Sequence, residues 1–214
     1  MRISTITLAT IVAAGTSSAA FADYTITQSS TQTQYAGHFI TFDEPGVPTG
    51  ATVDPLLFYQ ASDGIVFSSN SPPSLIVDDW DALDGIAGGN GTGNSIQGGF
   101  GIRLNFDTPI VELDFQGWAP GSPAPPFGGI NVLLFLGGDQ VGSYSGISPF
   151  GTDVDSWFNI VATGGDTFDE VVFFNGAFNS FSSYMDNVSW NVPAPGALAL
   201  LGVAGLFGIR RRRA

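Results

Sequence analysis

The chain has no cysteine and no lysine and only one histidine, which excludes several kinds of site at the outset. Without cysteine there can be no disulfide, no thiol catalysis and no thiolate metal ligand. The single histidine, His38, precedes an apolar segment, and a catalytic imidazole needs a nucleophile and an orienting acid beside it. The sequence also lacks a Gly-x-Ser-x-Gly elbow, a His-Glu-x-x-His pair and a phosphate-binding loop. We therefore predict that the protein is not an enzyme, and that His38 is an ordinary strand-edge residue.

Positive charge is almost absent from the middle of the chain. All 19 acidic residues lie between residues 23 and 192, where Arg103 is the only lysine or arginine. Nineteen acids and one arginine give this part a formal charge of −18, compared with −13 for the whole chain. Such a surface repels nucleic-acid phosphates and anionic lipid, and it attracts divalent cations. Nucleic acid is therefore excluded as a partner.

The N-terminus has the three parts of a secretory signal peptide. Arg2 supplies the positive charge, residues 6–14 are mostly apolar, and Ala20 and Ala22 occupy the small-residue positions before a cleavage site. We expect signal peptidase to remove residues 1–22 and to leave Asp23 as the first residue of an exported protein.

The C-terminal residues 192–214 also form three parts. Pro193 and Pro195 prevent a helix from running back into the preceding domain. Residues 196–209 carry no charged or strongly polar side chain, but as a helix they would rise only ~21 Å, which is short of a ~30 Å hydrocarbon core. The four arginines that follow remain on the cytoplasmic side of a membrane.

This tail resembles the PEP-CTERM sorting signal of bacteria, which a membrane protease-transpeptidase called exosortase recognises. The family's Pro-Glu-Pro reads Pro193-Ala194-Pro195 in this chain. The resemblance implies transient anchoring in the inner membrane, cleavage by an exosortase-type enzyme, and delivery to the cell surface or extracellular matrix. The residues assigned to the signal are Val192, Pro193, Pro195, Arg210, Arg211, Arg212 and Arg213. The alternative is an ordinary C-terminal membrane tail.

Residues 23–191 are predicted to form one all-β domain. Short runs of β-branched and aromatic residues alternate with clusters of Gly, Pro, Asn, Asp and Ser, and several runs have a period of two. Ten strands are predicted, at His38–Phe42, Gly64–Ser68, Leu75–Asp78, Gly99–Phe106, Ile110–Gly117, Ile130–Leu136, Gln140–Ser145, Trp157–Ala162, Glu170–Phe174 and Tyr184–Asn191. Residues 136–140 are expected to join two of them as a hairpin. Ten short strands, each with one apolar face, favour a two-sheet antiparallel sandwich of jelly-roll type.

Parts of this domain also resemble the secreted jelly-roll domains that precede PEP-CTERM tails. The opening residues 40–44 read ITFDE and residues 63–67 read DGIVF, while residues 185–190 read MDNVSW near the end of the domain. Related sandwiches include carbohydrate-binding modules. The resemblance implies a structural or carbohydrate-binding role, with extracellular polysaccharide as the partner.

Four oxygen-bearing side chains form a candidate calcium site. Two of these side chains follow the first predicted strand and two lie on the last. In a jelly roll the first and last strands commonly lie side by side, which would bring the four side chains together. Carboxylate and amide oxygens are the ligands that Ca²⁺ prefers, and similar carbohydrate-binding modules hold a structural calcium near this junction. The candidate ligands are Asp43, Glu44, Asp186 and Asn187. The alternative is that these side chains lie in solvent at strand ends.

A proline-rich loop supplies a candidate sugar-binding platform. Residues 118–127 begin with Trp118, end with Phe127 and contain four prolines. Stiff, exposed aromatic rings can stack on a sugar with little loss of entropy. The alternative is that Trp118 and Phe127 close one end of the core.

The sequence therefore predicts an exported surface or matrix protein with a structural or carbohydrate-binding role. Two other functions remain open at this point. One is a secreted glycan hydrolase that uses two carboxylates, as glycosidases do. The other is a periplasmic β-sandwich that stays anchored by its tail.

Overall fold

The computed structural model describes residues 23–79, 93–118, 130–146, 157–175 and 182–193. These residues form twelve strands and one helical turn, so the all-β prediction is confirmed. The elements are β1 (Tyr24–Ser29), β2 (His38–Ile40), α1 (Gln60–Asp63), β3 (Ile65–Ser69), β4 (Leu75–Asp78), β5 (Ser95–Gly99), β6 (Ile102–Ile110), β7 (Glu112–Trp118), β8 (Ile130–Leu136), β9 (Asp139–Gly146), β10 (Trp157–Ala162), β11 (Phe168–Asn175) and β12 (Ser182–Asn191).

The strands form two antiparallel sheets that pack face to face as a sandwich. The seven-stranded sheet has the order β1-β10-β7-β12-β5-β4, with β2 also paired to β12. The five-stranded sheet has the order β3-β6-β11-β8-β9. Strands β1 and β9 are each at an edge, and β2 and β5 pair with the same strand, β12, at its two ends.

The last eight strands pair in a nested way that defines the jelly roll. Strand β8 pairs with β9, β7 with β10, β6 with β11 and β5 with β12. The chain therefore behaves as one long antiparallel hairpin, closed by the β8–β9 turn and rolled so that its successive pairs alternate between the two sheets. Strands β1 to β4 widen the sheets around this unit.

The core lies between the sheets and is rich in phenylalanine. Alternate residues of strands such as β6 and β8 point inward, as the period of two in the sequence predicts, whereas register shifts interrupt this alternation in β9 and β12. Phe115 stacks on Phe158 with ring centroids 5.2 Å apart, and Phe173 meets Phe115 edge-on at 5.3 Å. Phe42 and Phe67 make a second edge-on pair, at 5.2 Å. Such pairs add about 0.5–1.5 kcal/mol each beyond the area they bury.

All ten predicted strands are present, and the predicted hairpin joins β8 to β9 through Gly137 and Gly138. Strands β1 and β5 were not predicted. The range Gly99–Phe106 also began too early, because Phe100 and Gly101 form the crossing from β5 in one sheet to β6 in the other. Both have positive φ, and a Cβ on Gly101 would lie 2.7 Å from the carbonyl oxygen of Phe173. Only glycine fits at Gly101.

Candidate functional site

The predicted meeting of the opening and closing strands is present. Strand β2 pairs with β12, with Ile40 opposite Val188. On the same edge of β12, β5 pairs with residues up to Met185. Between these two pairings the ladder from β12 to β7 shifts register, and Asn187 has a left-handed backbone (φ 50°). The bulge in β12 therefore lies where the ends of β2 and β5 approach each other.

Asp186 and Asn187 form this bulge and are bonded to each other and to β7. The Asp186 carboxylate accepts the backbone N–H of Asn187 at 2.6 Å and its side-chain amide at 3.0 Å. The same amide donates to Oε1 of Gln116 at 3.1 Å. Asp186 is only 1% exposed, so its carboxylate is a buried acceptor rather than a group in solvent. The alternative in which the four candidate ligands lie in solvent at strand ends therefore does not hold for Asp186.

Asp43 and Glu44 each bind a different part of the chain. Oδ1 of Asp43, which is exposed, accepts the backbone N–H and side-chain amide of Asn94 at 2.8 and 3.0 Å, just before β5. Oε1 of Glu44 accepts the backbone N–H of Thr41 at 2.9 Å, and Oε2 accepts the hydroxyl of Tyr59 at 2.6 Å. Burial is the main reason why the pKa of Tyr59 lies well above its usual value, and the hydrogen bond to Glu44 raises it further. The phenol therefore remains a donor.

The described residues contain no group of three or more His, Cys, Asp or Glu side chains placed to hold a metal ion. Asp43, Glu44 and Asp186 are therefore not a preformed carboxylate cluster, although Asp43 and Asp186 both border the junction of β2, β5 and β12. A calcium ion at this junction would need carbonyl, amide or water oxygens as further ligands. The calcium site remains a prediction.

Trp118 lies at the end of β7 and is only 3% exposed. Its indole stacks on Tyr184 of β12, with ring centroids 5.6 Å apart and an angle of 11° between the planes. This burial argues against Trp118 as a sugar platform, because stacking on a sugar needs an exposed ring face. Trp118 is not part of the core between the two sheets either, so it does not match the alternative in which it closes one end of that core. Phe127 lies outside the described residues, so the binding role of the loop remains a prediction.

The outer face of the seven-stranded sheet is buried at its centre, which the sequence did not reveal. Asp114, Gln116 and Trp118 of β7 point away from the core that Leu113 and Phe115 enter, and yet all three are 3% exposed or less. Their alternation with apolar residues is typical of a half-exposed strand. Sequence periodicity shows which residues share a face, but it does not show what covers that face.

The segment between β1 and β2 covers part of this outer face. The backbone N–H of Thr33 donates to the Asp114 carboxylate at 3.3 Å, and the N–H of Tyr35 donates to the hydroxyl of Ser189 at 3.0 Å. Asn159 of β10 donates to the hydroxyl of Tyr35 at 2.7 Å. Burial raises the pKa of Asp114, and the hydrogen bonds from Thr33, Asn159 and Gln34 oppose that shift.

His38 and Arg103 are the two cation-forming side chains of the described residues. Nδ1 of His38 lies 3.2 Å from Oδ1 of Asp63, and the imidazole stacks on Trp190 at 4.7 Å. The other oxygen of Asp63 accepts the hydroxyl of Ser62 at 2.6 Å, so this serine binds the acid instead of the imidazole and is not an activated nucleophile. Arg103 pairs with Glu170 of β11 and donates to Asn70.

Of the sorting residues, the structure describes Val192 and Pro193, which directly follow β12. Val192 is 42% exposed. Pro195 and the four arginines Arg210, Arg211, Arg212 and Arg213 lie outside the described residues, as does the predicted signal peptide, residues 1–22. In the part of the chain that is described, no helix is long and apolar enough to cross a membrane.

Comparisons with known proteins add no family to this picture. No protein-family model matches the chain, and no curated protein matches it in sequence.

Proposed function

We propose that the protein is an exported, acidic jelly-roll protein of a bacterial cell surface or extracellular matrix, with a structural or carbohydrate-binding role. A PEP-CTERM-type tail would hold it in the inner membrane until an exosortase-type enzyme releases it. The observation that carries the proposal is the order of parts after residue 192: two prolines, a short apolar segment, and then four arginines, which basic-residue topology would keep on the cytoplasmic side.

The end of the folded domain supports cleavage at this position. Strand β12 ends at Asn191, and Val192 is exposed immediately after it. A protease needs an extended, accessible backbone, and segments next to a domain end supply one. Cleavage near Pro193 would therefore remove the tail without cutting a strand of the sandwich.

The start of the domain supports removal of the signal peptide before Asp23. The backbone nitrogen of Asp23 donates to the carboxylate of Asp166 at 2.9 Å, and its carbonyl oxygen accepts the backbone N–H of Thr163 at 2.9 Å. Cleavage between Ala22 and Asp23 would turn this neutral N–H into an ammonium group beside Asp166. The new terminus would gain an ion pair, worth roughly 0.2–1 kcal/mol on an exposed surface.

Intact-mass measurement of the exported protein tests both ends at once. We expect a mass that begins at Asp23 and ends near Pro193–Pro195. Replacing all four arginines, Arg210 to Arg213, by serine should misroute the protein, because the cytoplasmic stop that holds the tail in the membrane is lost. A matched variant that replaces them by lysine should be released normally, since lysine keeps the charge.

Two mass results would contradict the proposal. A mature protein that still carries the four arginines would be tail-anchored, and the sorting route would be wrong. A protein that retains residues 1–22 would not have been exported by a cleaved signal peptide.

A further inference from the structure

A groove lies between the two edge strands β1 and β9, one from each sheet. Its volume is about 340 Å³, at the lower end of the range typical of small-ligand sites. The lining residues are Tyr24, Ile26, Val141, Gly142, Ser143 and Tyr144. None of these side chains carries a carboxylate, ammonium, guanidinium or imidazole. The groove is separate from Trp118 and from the junction of β2, β5 and β12.

The two tyrosines that line the groove are held in fixed orientations. The hydroxyl of Tyr24 donates to the carbonyl oxygen of Thr167 at 2.8 Å, and the hydroxyl of Tyr144 donates to Oε1 of Gln28 at 3.0 Å. Each ring also meets a core phenylalanine edge-on, Tyr24 with Phe168 at 6.1 Å and Tyr144 with Phe158 at 6.2 Å. Rings that are already fixed lose little entropy when a ligand stacks on them.

Glycine at position 142 keeps the groove open. A Cβ built on Gly142 would lie 3.0 Å from Cδ1 of Leu134 and 3.4 Å from Cδ2 of Tyr24. Any larger side chain would therefore fill the space between the two edges. The neighbouring Ser143 is exposed and adds a hydroxyl that can donate and accept hydrogen bonds.

The chemistry of the groove fits a neutral glycan better than an added peptide strand or an acidic polymer. Aromatic rings with nearby hydroxyl and edge-strand backbone groups suit a sugar, which has apolar C–H faces and hydroxyls around its rim. Strand β9 carries a register shift opposite Leu134 and Phe135, and such bulges hinder the addition of another strand. A formal charge of −18 between residues 23 and 192 disfavours polyanions.

We propose that the groove between β1 and β9 binds neutral sugar residues of a polysaccharide, with Tyr24 and Tyr144 as the stacking side chains. This inference rests on the carbohydrate-binding form of the proposed function and supplies it with a site. Many weak contacts to a repeating polymer are enough for matrix retention, so the affinity for one short oligosaccharide need not be high.

The test is titration calorimetry of the full chain with cellohexaose, mannohexaose and xylohexaose. The acidic comparison is hexagalacturonate, titrated with and without a calcium chelator. The detergent that keeps the tail in solution must not have a sugar head group, because such a head group would compete for the site. We expect saturable binding of at least one neutral hexamer and none of the acidic one.

Four variants locate the site. Tyr144→Ala should weaken binding of the neutral hexamer about tenfold, because it removes one stacking ring, whereas Tyr144→Phe should stay within about twofold of the original. Ser143→Trp changes an exposed position, should fold normally, and should block the groove. Phe39→Ala removes a ring that is 41% exposed on β2, outside the groove, and should bind unchanged. Melting temperatures confirm that each variant is folded.

The outcomes separate the groove from the wider function. If neutral glycan binds equally well to Tyr144→Ala and Ser143→Trp, the protein binds carbohydrate elsewhere, and the groove assignment alone is wrong. If no neutral hexamer binds, the groove and the carbohydrate-binding role both fail, while the sorting route stands or falls on the intact mass. Chelator-sensitive binding of hexagalacturonate alone, or dimerisation that Ser143→Trp abolishes, would also overturn the assignment.

Discussion

At the scale of single residues, Asp114 is a buried carboxylate on the outer face of a sheet. It is 0% exposed, and it accepts hydrogen bonds from the backbone of Thr33 and Gln34 and from the side chain of Asn159. These bonds tie the segment between β1 and β2 to the centre of the sheet. Burial nevertheless raises the pKa of Asp114 above its value in the unfolded chain, so the charged form is less favourable in the folded protein.

This shift predicts how Asp114 contributes to stability at different pH values. Between the unfolded and folded pKa values, the folded state binds more protons at this site than the unfolded state does. The contribution of Asp114 to the free energy of unfolding should therefore fall as pH rises from the unfolded value through the raised folded value. Urea unfolding of the original protein and of Asp114→Asn, at intervals from pH 3.5 to 7, measures it as a difference.

The stability of the original protein relative to Asp114→Asn should decrease over that pH range. Asp139→Asn removes the same charge from an exposed position on β9 and is the matched control for the loss of one negative charge. A difference for Asp114→Asn that does not change with pH would mean that the Asp114 carboxylate titrates as it does in the unfolded chain.

At the scale of elements, the β8–β9 hairpin depends on two glycines. Gly137 and Gly138 have φ values of 59° and 90°, the positive values that a two-residue turn of type I′ requires. A Cβ built on either would meet nothing within 4 Å, so a substitution here costs only backbone conformation. The N–H of Gly137 also donates to the Asp169 carboxylate, at 2.9 Å to one oxygen.

The effect of a substitution in this turn on the free energy of unfolding should therefore depend only on how well the new residue tolerates a positive φ. Gly138→Val should lower the free energy of unfolding by about 1–2 kcal/mol, because a β-branched residue is strained at positive φ. Gly137→Asn should change it by less than about 0.5 kcal/mol, since Asn tolerates the left-handed region and Asn-Gly is a favoured pair in this turn. Chemical unfolding at neutral pH measures both variants. Equal losses would show that the turn is not of this type in solution.

The elements also show where sequence reasoning succeeds and where it fails. Runs such as residues 102–106 reveal strands because one face of each is apolar and must enter a core. Strand β5 was missed because its last two residues are Gly98 and Gly99, which look like a turn. In the structure Gly98 pairs with Leu75 and Ser183, and its missing side chain leaves room for Ile102, whose Cγ1 would lie 2.7 Å from an added Cβ.

Strand β1 was missed for a different reason. Tyr24 and Ile26 alternate with Thr25 and Thr27, which is the pattern of a strand, but the run is polar and comes directly after the predicted signal peptide. The groove beside β1 could not be predicted either, because it depends on which edge of one sheet faces which edge of the other. The hydrophobic pattern of a strand shows which of its faces enters the core, whereas the topology of the whole domain decides which edges of the two sheets lie side by side.

At the scale of the whole molecule, charge is the dominant feature. Between residues 23 and 192, Arg103 is the only lysine or arginine, and it already binds Glu170. Few of the other carboxylates can therefore have a cationic partner within the domain. Their mutual repulsion opposes the compact state, and dissolved cations reduce that repulsion. Any cation should stabilise the sandwich to some degree, so a specific calcium site must be distinguished from general screening.

Calcium should stabilise the sandwich more than sodium does at equal ionic strength, if it binds at the junction of β2, β5 and β12. A ligand that binds only the folded state adds about 2.7 kcal/mol at 100 times its dissociation constant. Thermal melts in CaCl₂, in NaCl of matched ionic strength and in chelator measure this difference.

Asp43→Asn keeps an oxygen acceptor for Asn94 but removes the charge, and it should abolish the excess effect of calcium, as should Asp186→Asn. Asp139→Asn, which removes one charge from the distant β8–β9 hairpin, should keep the effect. If all three variants respond to calcium as the original protein does, calcium acts by screening, and the residues Asp43, Glu44, Asp186 and Asn187 do not form a site for it.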